Sequence, residues 1–380
     1  MYTLSDYGSM IAKSLRIDAY KNAIEKAVHP GDSVLDIGCG PGAFALLACR
    51  AGARKVYAID SQEIMHFARE LAVANGFADR MEFIQSDSRS LQLPERVNVI
   101  ISDIRGSLPL YDHAIASVED ARQRLLAPGG RLIPQCDTLK AAIIEAGDFY
   151  SKLISPWRES LPSLELSLSV PLVLNGSYTS HFKPDQLLTE PQTWAVVDYL
   201  AGAKAGAAAN LDFVITRAGT GHGICLWFEA QLLEGIGYSS GPAFSKTIYG
   251  QVLLPWLQAV PVQAGQRICV SLHANLVGED YVWQWETKVR GNGNGPELHF
   301  RQSTFQGANL TPQALRRRAG DFIPTLSDEG AADRWLLHAM DGKTSLQQMA
   351  QAAAERFPSI FPRWENALHR AAELARQFSR

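Results

Sequence analysis

The fold of this chain is decided by residues 33–42, SVLDIGCGPG, where a short apolar run leads directly into a glycine-rich loop. The stretch after it, FALLACRAG (44–52), has the apolar spacing of a helix, so the glycines lie between a strand and a helix. Because glycine has no Cβ, the backbone can turn tightly there and let a ligand approach the helix N-terminus. The order of strand, glycine loop and helix therefore predicts a nucleoside-binding site at the edge of a parallel sheet.

Strand-like and helical stretches alternate on either side of this motif. The runs that predict strands are SVLDIG (33–38), KVYAID (55–60), MEFIQ (81–85), VNVIIS (97–102) and GRLIPQ (130–135). Between them, stretches such as QEIMHFARELAVANG (62–76) have helical periodicity. The alternation predicts a parallel sheet with helices on both faces, ending near residue 145. Ahead of the sheet, apolar residues at helical spacing predict one amphipathic helix over 7–28, ended by Pro30-Gly31.

Beyond residue 145 the pattern predicts antiparallel strands that close into a β-barrel or sandwich. The predicted strands are LSLSVPLVL (166–174), TWAVVDYL (193–200), LDFVITRA (211–218), GICLWFEAQLL (223–233), KTIYGQVLL (246–254), RICVSLHANL (267–276) and YVWQWETKV (281–289). AGAKAGAAAN (201–210) is predicted to be flexible, and RGNGNGPE (290–297) has the composition of a hairpin loop.

From about residue 311 the sequence becomes helical again. We expect four parts: an N-terminal helix (1–28), the α/β domain (29–145), the antiparallel β-domain (146–305) and a helical C-terminal segment (311–380). The apolar residues of the last segment are expected to cap the β-domain, because such residues at helical spacing usually form a core; they are Trp335, Leu336, Leu337 and Met349. A weaker alternative is that this segment binds a leader peptide.

Composition excludes several classes of protein. The chain has 380 residues, 46% of them hydrophobic, with 36 basic and 39 acidic side chains, as in a globular protein of two or three domains. The near-neutral charge argues against a nucleic-acid partner. The five cysteines are scattered and the nine histidines have no metal-ligand spacing, so no disulfide framework and no metal are expected. Without an apolar leader or a membrane span, we expect a soluble cytoplasmic protein.

Three acidic residues follow three of the predicted strands and suit a nucleoside. Asp36 precedes the glycines. Asp60 ends the second strand, where it can accept hydrogen bonds from ribose hydroxyls. Asp87 follows the third strand, where it can accept a hydrogen bond from an adenine amino group. A nicotinamide dehydrogenase would share this geometry, but its glycines are spaced GxGxxG, whereas here they are spaced GxGxG. A purely structural glycine turn is the remaining alternative.

The motif DIGCGPG with these acids resembles the Rossmann-like class I S-adenosylmethionine-dependent methyltransferases. The resemblance implies that S-adenosylmethionine is the cofactor and that Asp36 helps to hold its methionine part. The cofactor site would consist of residues from the glycine loop and the following strand ends, namely Asp36, Gly38, Gly40, Asp60, Asp87 and Ser88.

Residues 99–130, VIISDIRGSLPLYDHAIASVEDARQRLLAPGG, narrow the resemblance further. They resemble the loop of the protein arginine methyltransferases that carries two glutamates, whose positions are held here by Asp103 and Asp112. The segment from Tyr2 to Ile24 resembles the N-terminal helix of that family, which implies that Arg16 binds the cofactor carboxylate. The resemblance covers about residues 1–300. It also implies a β-domain after the methyltransferase fold and a homodimer formed through residues 150–190.

Paired carboxylates give such a loop its chemistry. A guanidinium keeps its proton, so one nitrogen must be oriented and its lone pair localised before it can attack the sulfonium methyl. This chain departs from the family at three points: aspartate is shorter than glutamate, Arg105 replaces a common methionine, and Thr247-Ile248-Tyr249 stands for the Thr-His-Trp loop.

Structural roles are alternatives for the same residues. Asp112 could cap the following helix, Asp103 could accept hydrogen bonds from loop amides, and Arg105 could form an ordinary surface or loop salt bridge. His113 could act as a base for another acceptor, although an exposed first-turn histidine is the simpler interpretation, and Cys39 is expected to be inert.

We predict transfer of a methyl group to an arginine nitrogen of a peptide or protein, with Asp103 and Asp112 as the catalytic residues. The alternatives are a small-molecule or non-arginine acceptor and a non-catalytic scaffold that binds S-adenosylmethionine.

Overall fold

The computed structural model describes residues 2–161, 163–291, 297–308 and 311–379. Most of the hairpin loop predicted at 290–297 lies outside the described residues. Contacts divide the chain into two compact units, a larger one that ends at Ala308 and a smaller one that begins at Asn309. Among the described residues, no helix is long and apolar enough to cross a membrane, and no cluster of side chains could hold a metal ion.

A five-stranded parallel sheet forms the first half of the larger unit. Its strands are β1 (Ser33–Ile37), β2 (Lys55–Asp60), β3 (Met81–Gln85), β4 (Val97–Ser102) and β5 (Leu126–Ile133), in the order β3-β2-β1-β4-β5. The helices of this half are α1 (Leu4–Ile11), α2 (Leu15–Ala27), α3 (Ala43–Arg50), α4 (Met65–Ala74) and α5 (Ala114–Arg124). The α/β prediction is confirmed, and so are the five strands.

The central strand is fully buried, as its continuous apolar run predicts. Val34 and Leu35 of β1 have no exposed surface, and Val34 lies opposite Val56 of β2 and Val99 of β4. This strand order places the carboxyl end of β1 between β2 and β4, so the glycine loop opens at the centre of the sheet edge.

The N-terminal segment forms two helices rather than the single helix predicted over 7–28. Ala12 has an extended backbone with ψ 144°, which ends α1, and the Ser14 side chain accepts a hydrogen bond from the amide of Ile17 to cap α2. A serine cap competes with helix continuation, and the helical spacing alone did not reveal it.

Two antiparallel sheets form the second half of this unit, together with short helices. The strands are β6 (Cys136–Ile144), β7 (Tyr178–Ser180), β8 (Gln192–Asp198), β9 (Gly206–Val214), β10 (Gly219–Leu233), β11 (Ile236–Ser239), β12 (Gln251–Val262), β13 (Arg267–Val277), β14 (Asp280–Val289) and β15 (Leu298–Ser303). The first sheet has the order β7-β12-β10-β6-β8, with β11 paired to β10, and the second has the order β15-β14-β13-β9. The helices are α6 (Gly147–Arg158), α7 (Val170–Leu174) and α8 (Thr304–Gly307).

Aromatic side chains join the inner faces of the two sheets. The rings of Trp256 and Phe300 stack with their centroids 6.1 Å apart, and those of Trp194 and Trp283 are 5.8 Å apart. The prediction of an antiparallel β-domain is confirmed.

Three segment predictions were wrong in detail. The parallel sheet ends at Ile133 rather than near 145, because β6 pairs antiparallel with β10 and so belongs to the next sheet. Residues 166–174 form a 3-10 turn followed by α7, since Pro171 suits the first turn of a helix. Residues 206–210 of the segment predicted as flexible begin β9, where they pair with β13.

The smaller unit is helical, with α9 (Pro312–Arg316), α10 (Asp328–His338), α11 (Leu346–Arg356) and α12 (Trp364–Phe378). Its buried apolar side chains form a core of their own, in which Leu336, Met349 and Leu374 are almost fully buried. Their burial is therefore accounted for within the unit. Of the other residues expected to form a cap, Trp335 is partly buried against this core and Leu337 is 37% exposed.

Candidate active site

A cavity of about 900 Å³ opens at the carboxyl ends of the parallel strands. Its walls come from the glycine loop, the ends of β2 and β4, the first two helices and the loop before β12. Most of the residues predicted for the site line it, namely Arg16, Gly38, Gly40, Asp60, Asp87, Ser88, Asp103 and Asp112. The cavity therefore brings together residues that were singled out on separate segments of the sequence.

The glycine loop has the conformation that only glycine adopts easily. Gly38 and Gly40 have φ values of +70° and +52°, in the left-handed region. A Cβ on Gly38 would clash with the Ile104 side chain, and one on Gly40 would lie 3.0 Å from Cε1 of Tyr7. The loop is thus sandwiched closely between the residue after Asp103 and the ring of Tyr7 from α1.

Asp60 is oriented by the backbone of two loops. Its Oδ2 accepts from the amide of Gly40, and its Oδ1 accepts from the amide of Gln62, each at 2.9 Å. A carboxylate fixed in this way keeps further lone pairs available. This geometry suits hydrogen bonds from a pair of ribose hydroxyls.

Asp36 is a buried carboxylate with an oxygen left over. Only 1% of the residue is exposed, and Oδ2 has no hydrogen-bond partner among the described residues. Burial raises the pKa of Asp36 to about 7, although a hydrogen bond from the amide of Ala45 opposes the shift. Asp36 is not among the residues that line the cavity, but an unpartnered buried acceptor directly before the glycine loop fits a cationic ligand group such as an ammonium.

Asp87 and Ser88 lie where β3 ends, but part of the Asp87 carboxylate is already engaged. Asp87 accepts from the amide of Arg89 at 2.8 Å and from its guanidinium at 2.7 Å, and these hydrogen bonds lower the pKa of Asp87. Ser88 is buried and its carbonyl accepts from Arg124 at 3.1 Å. Both residues line the cavity; the adenine contact of Asp87 and the cofactor contact of Ser88 remain predictions.

Asp103 lies in a network of side chains rather than among loop amides. Its Oδ2 pairs with Arg16, and its Oδ1 accepts from Tyr249 at 2.6 Å and from Arg105 at 2.9 Å. The Tyr20 hydroxyl lies 3.1 Å from the same Oδ1 and 2.8 Å from the carbonyl of Ser102. The interpretation of Asp103 as an acceptor for loop amides is therefore wrong.

Arg16 faces both this network and the cavity. One terminal nitrogen pairs with Asp103, the other donates to the carbonyl of Met10, and Nε has no partner among the described residues. In the structure, Arg16 therefore pairs with Asp103, and its role in binding a cofactor carboxylate stays a prediction.

Arg105 forms salt bridges from the loop with Asp103 and Asp137, but it is fully enclosed, so the interpretation as a surface salt bridge is wrong. Its side chain is 4% exposed, and its guanidinium forms a bidentate pair with Asp137 of β6, with Nε and Nη2 each 3.0 Å from a carboxylate oxygen. Its Nη1 lies 2.9 Å from Asp103 and from the hydroxyls of Tyr20 and Tyr238. A loop of the parallel sheet is thereby fixed to the antiparallel sheet.

Asp112 contrasts with Asp103 because it is exposed. Its backbone has φ +45°, and its Oδ1 accepts from the amide of His113 at 2.7 Å. The helix α5 begins at Ala114 without a side-chain cap, so the interpretation of Asp112 as its N-cap is wrong. The second carboxylate thus lies at the rim of the cavity without a helix to cap.

His113 and Cys39 are two further residues of the loops around the cavity. His113 lines the cavity and is partly exposed, beside Asp112. Burial raises the pKa of the Cys39 thiol far above its ordinary value, and the sulfur packs 3.4 Å from that of Met65. The thiol therefore stays protonated and does not serve as a nucleophile.

Sequence reasoning missed the partners of Arg105. Asp137, Tyr199 and Tyr238 surround it, and Tyr199 donates to Asp137 at 2.7 Å. A signal existed in β6, because Asp137 occupies the same alternating positions as the buried Leu139 and Ala141. A buried charge in such a strand predicts an enclosed partner of opposite sign.

Comparisons with known proteins show which families this chain resembles in sequence. Residues 34–130 match a family model described as a methyltransferase domain. The chain is 30% identical to the protein arginine N-methyltransferase 1 of Schizosaccharomyces pombe over 267 residues, which are 68% of this chain and 78% of that relative. It is also 30% identical to the probable protein arginine N-methyltransferase 6 of Arabidopsis thaliana over 62% of this chain, but spans only 54% of that relative's length.

Solved structures share the fold of the larger part of the chain. A Trypanosoma brucei PRMT1 enzyme–prozyme heterotetrameric complex with AdoHcy superposes with a TM-score of 0.74 at 21% identity, covering 79% of this chain and 98% of that one. The Arabidopsis thaliana protein arginine methyltransferase 10 gives a TM-score of 0.70 at 22% identity, with 79% of this chain and 97% of that chain covered. At such identities the likeness concerns the fold alone.

Proposed function

Because the chain belongs to the protein arginine N-methyltransferase family, we propose that it transfers the methyl group of S-adenosylmethionine to a guanidino nitrogen of arginine in a peptide or protein. The observation that carries this proposal is that Asp103 and Asp112 line the same cavity as the glycine loop. A carboxylate pair at the carboxyl ends of the strands stands where the acceptor must approach the cofactor.

The residues present fit the cofactor. The orphaned Oδ2 of Asp36, directly before the glycine loop, suits the ammonium of the methionine part, Asp60 suits the ribose hydroxyls, and Gly38 and Gly40 line the cavity. Arg16 would hold the cofactor carboxylate through its unpartnered Nε. When bound, the cofactor supplies a sulfonium-activated methyl group, while the protein binds and orients the two reactants.

The acceptor needs orientation more than acid–base chemistry. A guanidinium is a poor nucleophile while its lone pairs are delocalised, so carboxylates that hydrogen-bond two of its nitrogens leave the third aimed at the methyl group. We assign Asp103 and Asp112 to this role. Support comes from Asp112 having no helix to cap and from Asp103 being fixed by two cations and two hydroxyls.

Mass spectrometry tests the acceptor class. The purified chain is incubated with methyl-labelled S-adenosylmethionine and a library of arginine-containing peptides. We expect methylated arginine. Labelling of metabolites alone would contradict the proposal and support the second candidate, a non-arginine acceptor, which is favoured by Arg105 already occupying Asp103. Cofactor binding without any labelled product would support a non-catalytic scaffold.

We also propose that the protein is a homodimer. Residues 157–172 expose a series of large apolar side chains, with Leu168 80% exposed; the others are Trp157, Leu161, Leu164 and Leu172. Isolated exposed leucines are common, but a series this close in sequence is typical of a surface that a partner covers. The proposal also places the enzyme in a reducing cytoplasm, which five free thiols support.

A further inference from the structure

Arg105 lies inside the site proposed to receive a guanidinium, although it belongs to the chain itself. All three of its nitrogens are engaged, two by Asp137 and one by a group of acceptors that includes Asp103. Its guanidinium also lies 5.4 Å from the ring centroid of Phe228 and 5.9 Å from that of Tyr238. This environment of carboxylates and aromatic rings is the kind that recognises an arginine.

The hydrogen-bonding capacity of Asp103 is largely used up by these neighbours. A carboxylate offers about four acceptor positions, two on each oxygen. Oδ1 accepts from Arg105 and Tyr249, with Tyr20 also within 3.1 Å, and Oδ2 accepts from Arg16. One position on Oδ2 is left.

The charges lead to the same conclusion. The enclosed network contains two arginines and two aspartates, Arg16, Arg105, Asp103 and Asp137, which balance one another. It therefore offers an incoming cation no net negative charge, and the next carboxylate of the acceptor loop is the exposed Asp112. An arginine acceptor thus meets an Asp103 whose charge is already balanced by the protein's own arginines.

We propose that Arg105 is a specificity-determining residue that positions Asp103 by occupying its Oδ1, so that an acceptor is held through the single free position on Oδ2 together with Asp112. This inference rests on the proposed function. The acceptor then donates one hydrogen bond to each carboxylate instead of forming a bidentate fork on Asp103, which fixes its orientation at the expense of affinity.

The test removes Arg105 together with its partner. Arg105→Met alone would leave Asp137 buried and unpaired, whereas Arg105→Met with Asp137→Ala replaces the pair by apolar side chains and avoids that penalty. A matched control is Arg131→Met with Asp32→Ala, which removes an ion pair of 2.7 Å in a part of the fold that does not line the cavity. Arg105→Lys tests whether a cation of different shape restores the function.

In the double variant, the affinity for an arginine peptide should rise while kcat falls. Calorimetry with the protein saturated with S-adenosylhomocysteine should show an arginine peptide binding about tenfold tighter, since Asp103 gains a free charged acceptor position. The kcat should fall about tenfold, because a loosely held Asp103 misaligns the acceptor, and KM should fall as well. The control should change neither value, and Arg105→Lys should recover part of the kcat.

Damage to the fold predicts a different pattern, with weaker binding of both S-adenosylhomocysteine and peptide. Peptide affinity that is unchanged or lower in the double variant, with S-adenosylhomocysteine affinity intact, would overturn the inference. A wild-type protein that turns over no arginine peptide would overturn the proposed function instead. The binding titration needs no turnover, so it still decides the role of Arg105.

Discussion

The buried carboxylate of Asp36 lowers the stability of the folded protein at neutral pH, although it is proposed to bind the cofactor. Its folded-state pKa is raised by burial to about 7 from 3.8, so the folded protein binds this proton more tightly than the unfolded chain does. The contribution of Asp36 to stability is therefore full below about pH 4 and is lost as the pH rises through about 7. At about 1.4 kcal/mol per pKa unit, the loss is of the order of 4 kcal/mol.

Asp36→Asn should accordingly stabilise the protein without ligand at pH 7, by up to a few kcal/mol in the free energy of unfolding, because the amide carries no charge to desolvate. Urea unfolding measures this, and the gain over the wild type should vanish below pH 4. Calorimetry should show weaker binding of S-adenosylhomocysteine, since the ammonium loses its counter-charge. A variant that is stabilised yet binds as tightly as the wild type would separate Asp36 from the cofactor.

Asp112 gives the corresponding prediction for the acceptor. Asp112→Asn should leave the affinity for S-adenosylhomocysteine nearly intact, since the side chain is exposed at the rim, and lower turnover more than tenfold. Turnover and calorimetry on the same preparation measure the two effects. Unchanged turnover would remove Asp112 from the mechanism.

At the scale of elements, the glycine loop is the most constrained segment of the site. Gly38→Ala adds a Cβ in the left-handed region and against Ile104, so it should destabilise the protein by about 1–2 kcal/mol or more and weaken cofactor binding. Adding Ile104→Ala removes the clashing carbon. The double variant should regain part of the stability in urea unfolding, and a failure to regain any would indicate that backbone strain alone is responsible.

Sequence reasoning succeeded where one physical signal dominates an element. The buried strand at Val34 and Leu35 and the glycines at Gly38 and Gly40 are local patterns, so they were predicted with their roles in the fold. Residues 166–174 were mistaken for a strand because apolar alternation over nine residues does not distinguish a strand from a 3-10 turn that leads into a helix.

Predictions of the site were limited by tertiary contacts. Asp103 and Arg105 were identified as facing the acceptor region, but the partner that encloses Arg105 lies on another sheet. Asp137 is 32 residues away in sequence, and nothing local pairs the two. Such pairings arise from the way the parallel sheet is joined to the antiparallel one, which no periodicity encodes.

For the whole molecule, the exposed apolar series at residues 157–172 predicts self-association. Leu168→Glu with Leu164→Glu should shift the protein from dimer to monomer in light scattering, because two buried charges without partners are costly at an interface. The control is Val277→Glu, which changes another exposed apolar residue, 61% accessible, at the end of β13 in the second antiparallel sheet. It should leave the dimer intact. A protein that is monomeric before any substitution would contradict the dimer.

The attachment of helix α1 bears on the rates at which a nucleoside binds and is released. Along this helix, described over its full length, Tyr7 is the one buried side chain, and its ring lies over Gly40. So little apolar area anchors α1 that its detachment costs far less than melting the sheet beneath it. Local opening of α1 would therefore uncover the glycine loop, while the Arg105–Asp137 pair that joins the two sheets stays in place.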